Sequence, residues 1–104
     1  MEIFNTDRKD RIASCKRAYA IALPYVQKAL REAKKYRIEG YAKNRDNTRF
    51  VQIFDRRTGR PVFRLEMHPI PDPDYGYQRI EYLHYHLGGN HAHFTIWPEV
   101  KVIY

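Results

Sequence analysis

The stretch His84-Tyr85-His86-Leu87-Gly88-Gly89-Asn90-His91-Ala92-His93-Phe94 decides how the chain is read, because it has the form of a β-hairpin. Gly88-Gly89 is a favoured two-residue turn, since glycine reaches positive φ without a steric penalty. A turn there sets Leu87 opposite Asn90, His86 opposite His91 and His84 opposite His93. Side chains alternate along a strand, so His84, His86, His91 and His93 are expected on one face. Ile80, Tyr82, Thr95 and Trp97 continue that face. Leu83, Tyr85, Leu87, Ala92, Phe94 and Ile96 form the other, which reads as a core surface.

Working outward, the same period of two recurs in residues 49–55 and 61–68, around a turn at Arg57-Thr58-Gly59. There Phe63, Leu65 and Met67 are expected inward, which puts Arg64, Glu66 and His68 on the open face with the histidines. The segment Pro69-Ile70-Pro71-Asp72-Pro73-Asp74 is expected to be an exposed loop, because proline donates nothing to a central ladder. Strands at 78–87 and 90–97 follow. Pro98 ends the second, and 100–104 is a short edge strand.

Before the strands the period is helical. Asn5, Thr6 and Asp7 offer N-cap side chains for a helix over 7–36. Ile12, Cys15, Tyr19, Ala22, Val26, Ala29, Leu30 and Ala33 form its apolar stripe, with Lys16, Lys28, Arg31, Lys34 and Lys35 away from it. Pro24 lacks an amide proton and is expected to kink or split the helix. Gly40 and residues 43–48 read as a turn or loop. The expected fold is therefore α+β: an N-terminal helix or kinked helix pair packed on one face of a four- to five-stranded antiparallel sheet, in a single domain spanning 1–104.

A chain of 104 residues supports one modest core, and its 43% hydrophobic and 14% aromatic content excludes disorder throughout. No apolar run reaches membrane-spanning length and the N-terminus lacks signal-peptide features, so no membrane partner is expected. The expected location is cytoplasmic. Cys15 is the only cysteine, which rules out an internal disulfide and a cysteine metal cluster. On the apolar stripe it reads as a buried thiol. Residues 1–60 hold sixteen Lys and Arg against seven Asp and Glu, and residues 61–104 hold three against five. That asymmetry suits a polyanion such as RNA, or an acidic protein.

A single histidine on a sheet is usually a solvated or hydrogen-bonded structural group. Four in cross-strand register point to chemistry, because grouping chargeable imidazoles adds repulsion on protonation. Two chemistries fit. In metal-free RNA cleavage, His84, His86, His91 and His93 serve as acid or base, and Glu66 is an alternative base. Arg64 then binds phosphate, His68 and Thr95 belong to the same substrate-binding face, and Tyr82 and Trp97 stack on bases. The other chemistry is a zinc or iron site, with the two His-x-His pairs supplying nitrogen ligands. Metal-free catalysis with no cofactor is preferred here, because the basic half calls for a polyanion.

A basic helix followed by an antiparallel sheet with late histidines resembles the barnase–EndoU–colicin–RelE group of small ribonucleases. The segment 82–98, with its paired His-x-His and Ile96-Trp97-Pro98, also looks like the C-terminal toxin domains of bacterial polymorphic toxins. That resemblance implies a toxin-like ribonuclease, with Glu66 or a hairpin histidine as base, another histidine as acid, Arg64 on phosphate, an acidic immunity protein or antitoxin as partner, and delivery to a target-cell cytoplasm if the chain is an excised toxin domain. A third class is a non-catalytic nucleic-acid or protein-binding module anchored by Tyr75, Tyr77, Tyr82 and Trp97.

Overall fold

A computed structural model of the chain describes residues 8–40 and 49–104, and the backbone alone for residues 8–11. The expected N-cap at Asn5, Thr6 and Asp7 and the loop at 43–48 lie outside the described residues. One helix, α1 (Arg8–Arg31), precedes six strands: β1 (Tyr36–Gly40), β2 (Arg49–Asp55), β3 (Pro61–Asp72), β4 (Gln78–Leu87), β5 (His93–Trp97) and β6 (Val102–Ile103). The strands pair in sequence order, each antiparallel to the next, so the sheet is a meander with no crossover. The α+β expectation holds, with six strands in place of four or five. Among the described residues no helix is long and apolar enough to cross a membrane.

The added strand is β1. Glu32, Ala33, Lys34 and Lys35 carry helical propensity, and the sequence reading extended the helix through them. The chain instead turns there: Lys35 N donates to Glu32 O at 2.8 Å. Arg56 then clasps the turn, its Nε donating to Ala33 O at 2.9 Å and Tyr36 O at 3.1 Å. Beyond it Tyr36-Arg37-Ile38 alternates as a strand and pairs with β2. Pro24 neither splits nor ends α1. It sits on the exposed side, away from the sheet.

The face that α1 buries is rotated from the one its pattern suggested. Ser14, Ala18, Ala22 and Ala29 are buried, with Ile21, Tyr25 and Val26 packed beside them, whereas Ile12, Cys15, Tyr19, Leu30 and Ala33 are exposed. Small residues on the inner face let the helix lie close to the sheet, where Tyr25 stacks on Phe63 with ring centroids 4.5 Å apart. Bulkier residues at the edge stand further out and line an open apolar groove with Met67, Leu83 and Trp97. Cys15 borders this groove and is not the buried thiol anticipated from its stripe. Phe63, Leu65 and Ile53 complete the core under the helix, as the alternation of β3 requires, and Lys16, Lys28, Arg31, Lys34 and Lys35 point outward.

The proline-rich segment also departs from expectation. β3 continues through Pro69 and Pro71 to Asp72, pairing Pro69 with Glu81 and Pro71 with Arg79. Val62 O accepts from Gly88 N at 2.8 Å, so even-numbered β3 residues turn their backbone polar groups to β4 and odd-numbered ones away. The two prolines are odd-numbered, and their missing amides therefore face away from β4. On that side β2 reaches only as far as Glu66 among the described residues. A 3₁₀ turn at Pro73–Tyr75 closes the hairpin, capped by the Asp72 carboxylate accepting from Asp74 N at 3.0 Å.

These placements give a stability prediction. Phe63→Ala should cost about 3–5 kcal/mol in urea unfolding, as for other fully buried aromatics, while Leu30→Ala should stay within about 0.5 kcal/mol. A thiol reagent should label Cys15 in the native protein without denaturant.

Candidate functional site

The face of the sheet opposite α1 is set by β3 and β4. Their register pairs Arg64 with His86, Glu66 with His84 and His68 with Tyr82, and all six side chains share that face. Glu66 is the centre of the arrangement. Its Oε2 lies 2.7 Å from His68 Nε2, 3.6 Å from His84 Nε2 and 3.6 Å from His86 Nε2. Its Oε1 lies 3.4 Å from Arg64 Nη1 and 3.9 Å from Arg49 Nε. Ligand-type atoms of Glu66, His68, His84 and His86 all fall within 4.8 Å of one another.

The hairpin brings three of the four expected histidines to this face. His84 stands opposite Thr95 and Tyr85 opposite Phe94, two residues away from the register anticipated from a Gly88-Gly89 turn. The loop is longer because Asn90 N donates to Leu87 O at 3.1 Å and the Asn90 side chain accepts from Ala92 N at 2.8 Å. This side-chain turn carries His91 and Ala92 out of the pairing. A slip of two residues preserves the face, so His93 still points to the cluster, now beside His86 with ring centroids 4.8 Å apart. His91 is exposed on the loop and takes no part.

Further along β5 a bulge falls at Ile96, between the pairs Leu83–Trp97 and His84–Thr95. It turns Trp97 to the helix side, into the apolar groove, so Trp97 is not on the histidine face. Tyr82 is on that face but fully buried, its hydroxyl donating to Asp72 Oδ2 at 2.5 Å, and it has no surface for stacking on a base. Thr95 is buried as well. Its Oγ1 donates to Glu99 O at 2.7 Å and accepts from Lys101 N at 2.7 Å, a structural role in the β5–β6 turn. Tyr75 and Tyr77 remain exposed, as a surface anchor requires.

Two supports escaped the sequence reading. Arg49 reaches Glu66 from β2 through an irregular register, one that alternation alone does not give. Asp72 and Lys101 lay in segments read as a loop and an edge strand. Lys101 Nζ sits 2.5 Å from Asp72 Oδ2, 3.0 Å from Asp74 Oδ2 and 3.4 Å from Glu99 Oε2. With Ile103 packed among Ile70, Ile80 and Tyr82, this contact folds the C-terminal edge over the open face. The far end of the cluster is thereby enclosed.

Electrostatics follow from this enclosure. Burial alone would push the Glu66 pKa up, but contacts from His68, His84 and His86 and the Arg64 charge outweigh it and hold the carboxyl well below the usual range. Such a carboxylate is a weak base, which disfavours the proton-accepting role expected of it. His68 is pushed up by its contact with Glu66. His93 is pushed down by burial, with neighbouring histidines adding to the effect, although the Ile103 carbonyl opposes it.

Tautomers are fixed by backbone carbonyls, which only accept. His84 Nδ1 meets Tyr82 O at 2.9 Å and His93 Nδ1 meets Ile103 O at 2.9 Å, so each Nδ1 carries its proton. In the neutral ring Nε2 is then a bare lone pair. For His84 that atom is fully buried, faces the Glu66 carboxylate and has no hydrogen-bond partner.

No protein-family model matches this chain, and no curated protein or solved structure matches it either.

The Asp72–Lys101 clasp has a pH signature. Burial opposes the charge on Asp72, but Lys101 and Tyr82 outweigh it and lower the Asp72 pKa below its usual 3.8; burial likewise opposes the charge on Lys101, and the carboxylates raise its pKa above the usual 10.5. The stabilisation is fully present between those two usual values. It is lost as pH falls through the depressed Asp72 value or rises through the elevated Lys101 value. Urea midpoints measured across pH should show this plateau, and Asp72→Asn should lower it and flatten the acid limb.

Proposed function

We propose that this chain is a metalloenzyme whose centre is a single divalent first-row transition ion, zinc in the first instance, held by Glu66, His68, His84 and His86. The observation that carries the reading is the proton shortage around Glu66 Oε2. One carboxylate oxygen has two lone pairs, yet three imidazole Nε2 atoms converge on it, one of them fully buried. Filling the gaps with protons sets several imidazolium charges against one carboxylate in an enclosed space. One divalent cation satisfies all four groups at once.

The donor set and spacing agree with this. Imidazole nitrogen with carboxylate oxygen suits zinc, iron, copper or nickel better than magnesium or calcium. Bonds of about 2.0–2.1 Å in a tetrahedron place donor atoms about 3.3 Å apart, close to the 3.6 Å separating Glu66 Oε2 from the nitrogens of His84 and His86. The Tyr82 carbonyl on His84 Nδ1 is the outer-shell contact that orients a ligating imidazole. An ion there would supply a Lewis acid, and with a further position taken by water beside the protein donors the chemistry it suits is hydrolysis. His93, kept neutral beside the cluster, is the base available to take a proton from water.

Metal-free RNA cleavage is the second reading, and one observation favours it: His68 and His93 are pushed apart in pKa, as an acid and a base of one reaction often are. Enclosure weighs against it, because His84 offers no surface for a substrate hydroxyl to approach.

Metal analysis separates the two. Protein stripped with chelator and dialysed against zinc should bind one equivalent. Glu66→Gln and His84→Ala should each weaken zinc by more than about a hundredfold, since loss of outer-shell partners alone accounts for about 10–100-fold. His91→Ala should leave it unchanged. If stripped protein takes up no metal yet cleaves RNA, the acid–base reading replaces this one.

A further inference from the structure

The centre is closed at His84 and His86 and more exposed toward β2. The side chains of His84 and His86 are 0% and 7% exposed, and the C-terminal edge folds across the far end of their face. Toward β2 the exposure rises to 34% at His68, 30% at Arg64 and 49% at Arg49.

Charge on that side is unbalanced. Among the described residues Glu66 is the carboxylate that the Arg64 ion pair reaches, and it also faces the three imidazoles. Contacts of 3.4 Å and 3.9 Å from Arg64 and Arg49 to its Oε1 are too long for good hydrogen bonds, and Oε1 has no hydrogen-bond partner. Arg64 Nε is buried without a partner as well. A guanidinium carries five donors in a planar fork, the shape that matches tetrahedral oxyanions in bidentate fashion. With a divalent ion added, the Glu66 charge faces a dication and the Arg64 guanidinium.

From this juxtaposition we infer that the open side of the centre binds a phosphate ester, with Arg64 and Arg49 clamping its non-bridging oxygens. The inference rests on the metal-centre reading and names its substrate class. Two sources share this chemistry, a nucleic-acid backbone and a small phosphate ester.

Calorimetric titration of the zinc-loaded full chain with inorganic phosphate and with a ten-nucleotide oligouridylate tests it. Both should bind. Arg64→Gln and Arg49→Gln should each weaken phosphate by about tenfold or more, the usual effect of losing a charge-assisted hydrogen bond, while zinc stays at one equivalent per chain. Unchanged zinc content also shows that the variants are folded. Zinc binding with no phosphate affinity, or affinity unaltered in both variants, overturns the inference and leaves the metal centre standing. No zinc uptake by the wild type overturns both. Oligouridylate binding tighter than phosphate, and falling steeply with salt, assigns the clamp to a nucleic-acid backbone. Phosphate binding without oligouridylate binding assigns it to a small ester.

Discussion

The structure is organised around one buried negative charge. Moving a carboxylate out of water costs far more than any single contact returns, so Glu66 is tolerated only because several groups reach it together. Those groups come from three strands: Arg49 from β2, Arg64 and His68 from β3, His84 and His86 from β4. No segment can slide by one residue without sending its contribution to the opposite face. The charge therefore fixes register as well as chemistry, on the same strands whose other face holds Phe63 and Leu65 against the helix.

Enclosure is the second requirement, and it comes from the chain's end. A six-stranded meander has two faces, and α1 covers only one. The other is closed by the sheet itself, as β6 and the turn before it fold back to place Ile103 on Tyr82 and Lys101 on Asp72. The site is thus built from distant parts: ligand-type side chains on central strands, their cover on the last few residues. The Ile103 carbonyl, which sets the His93 tautomer, belongs to that cover.

How much of this could be read from the sequence depends on the range of the interaction. Alternation is local, and it placed Glu66, His68, His84, His86 and His93 on one face and Phe63, Leu65 and Ile96 on the other. It failed where another interaction outweighed it. The Asn90 side chain lengthened the hairpin loop and removed His91. The bulge at Ile96 turned Trp97 over. On α1 two apolar stripes compete, and tight packing selected the one with small residues, Ala18, Ala22 and Ala29, over the larger Tyr19 and Leu30. Asp72 and Lys101 are 29 positions apart in number, and no local pattern links them. The chemistry of the site was less legible than its location, because it depends on which imidazole nitrogens are engaged by backbone carbonyls.

The two prolines of β3 bear on how this protein behaves at high concentration. An unpaired strand edge is a template on which another chain can add a strand. Where β3 runs beyond Glu66, no strand among the described residues pairs with its outward side, which lacks amide hydrogens at Pro69 and Pro71. An incoming strand would find acceptors there without the alternating donors that a ladder needs, so that stretch resists edge-to-edge aggregation. Residues that first looked incompatible with a strand are what withhold donors from that edge.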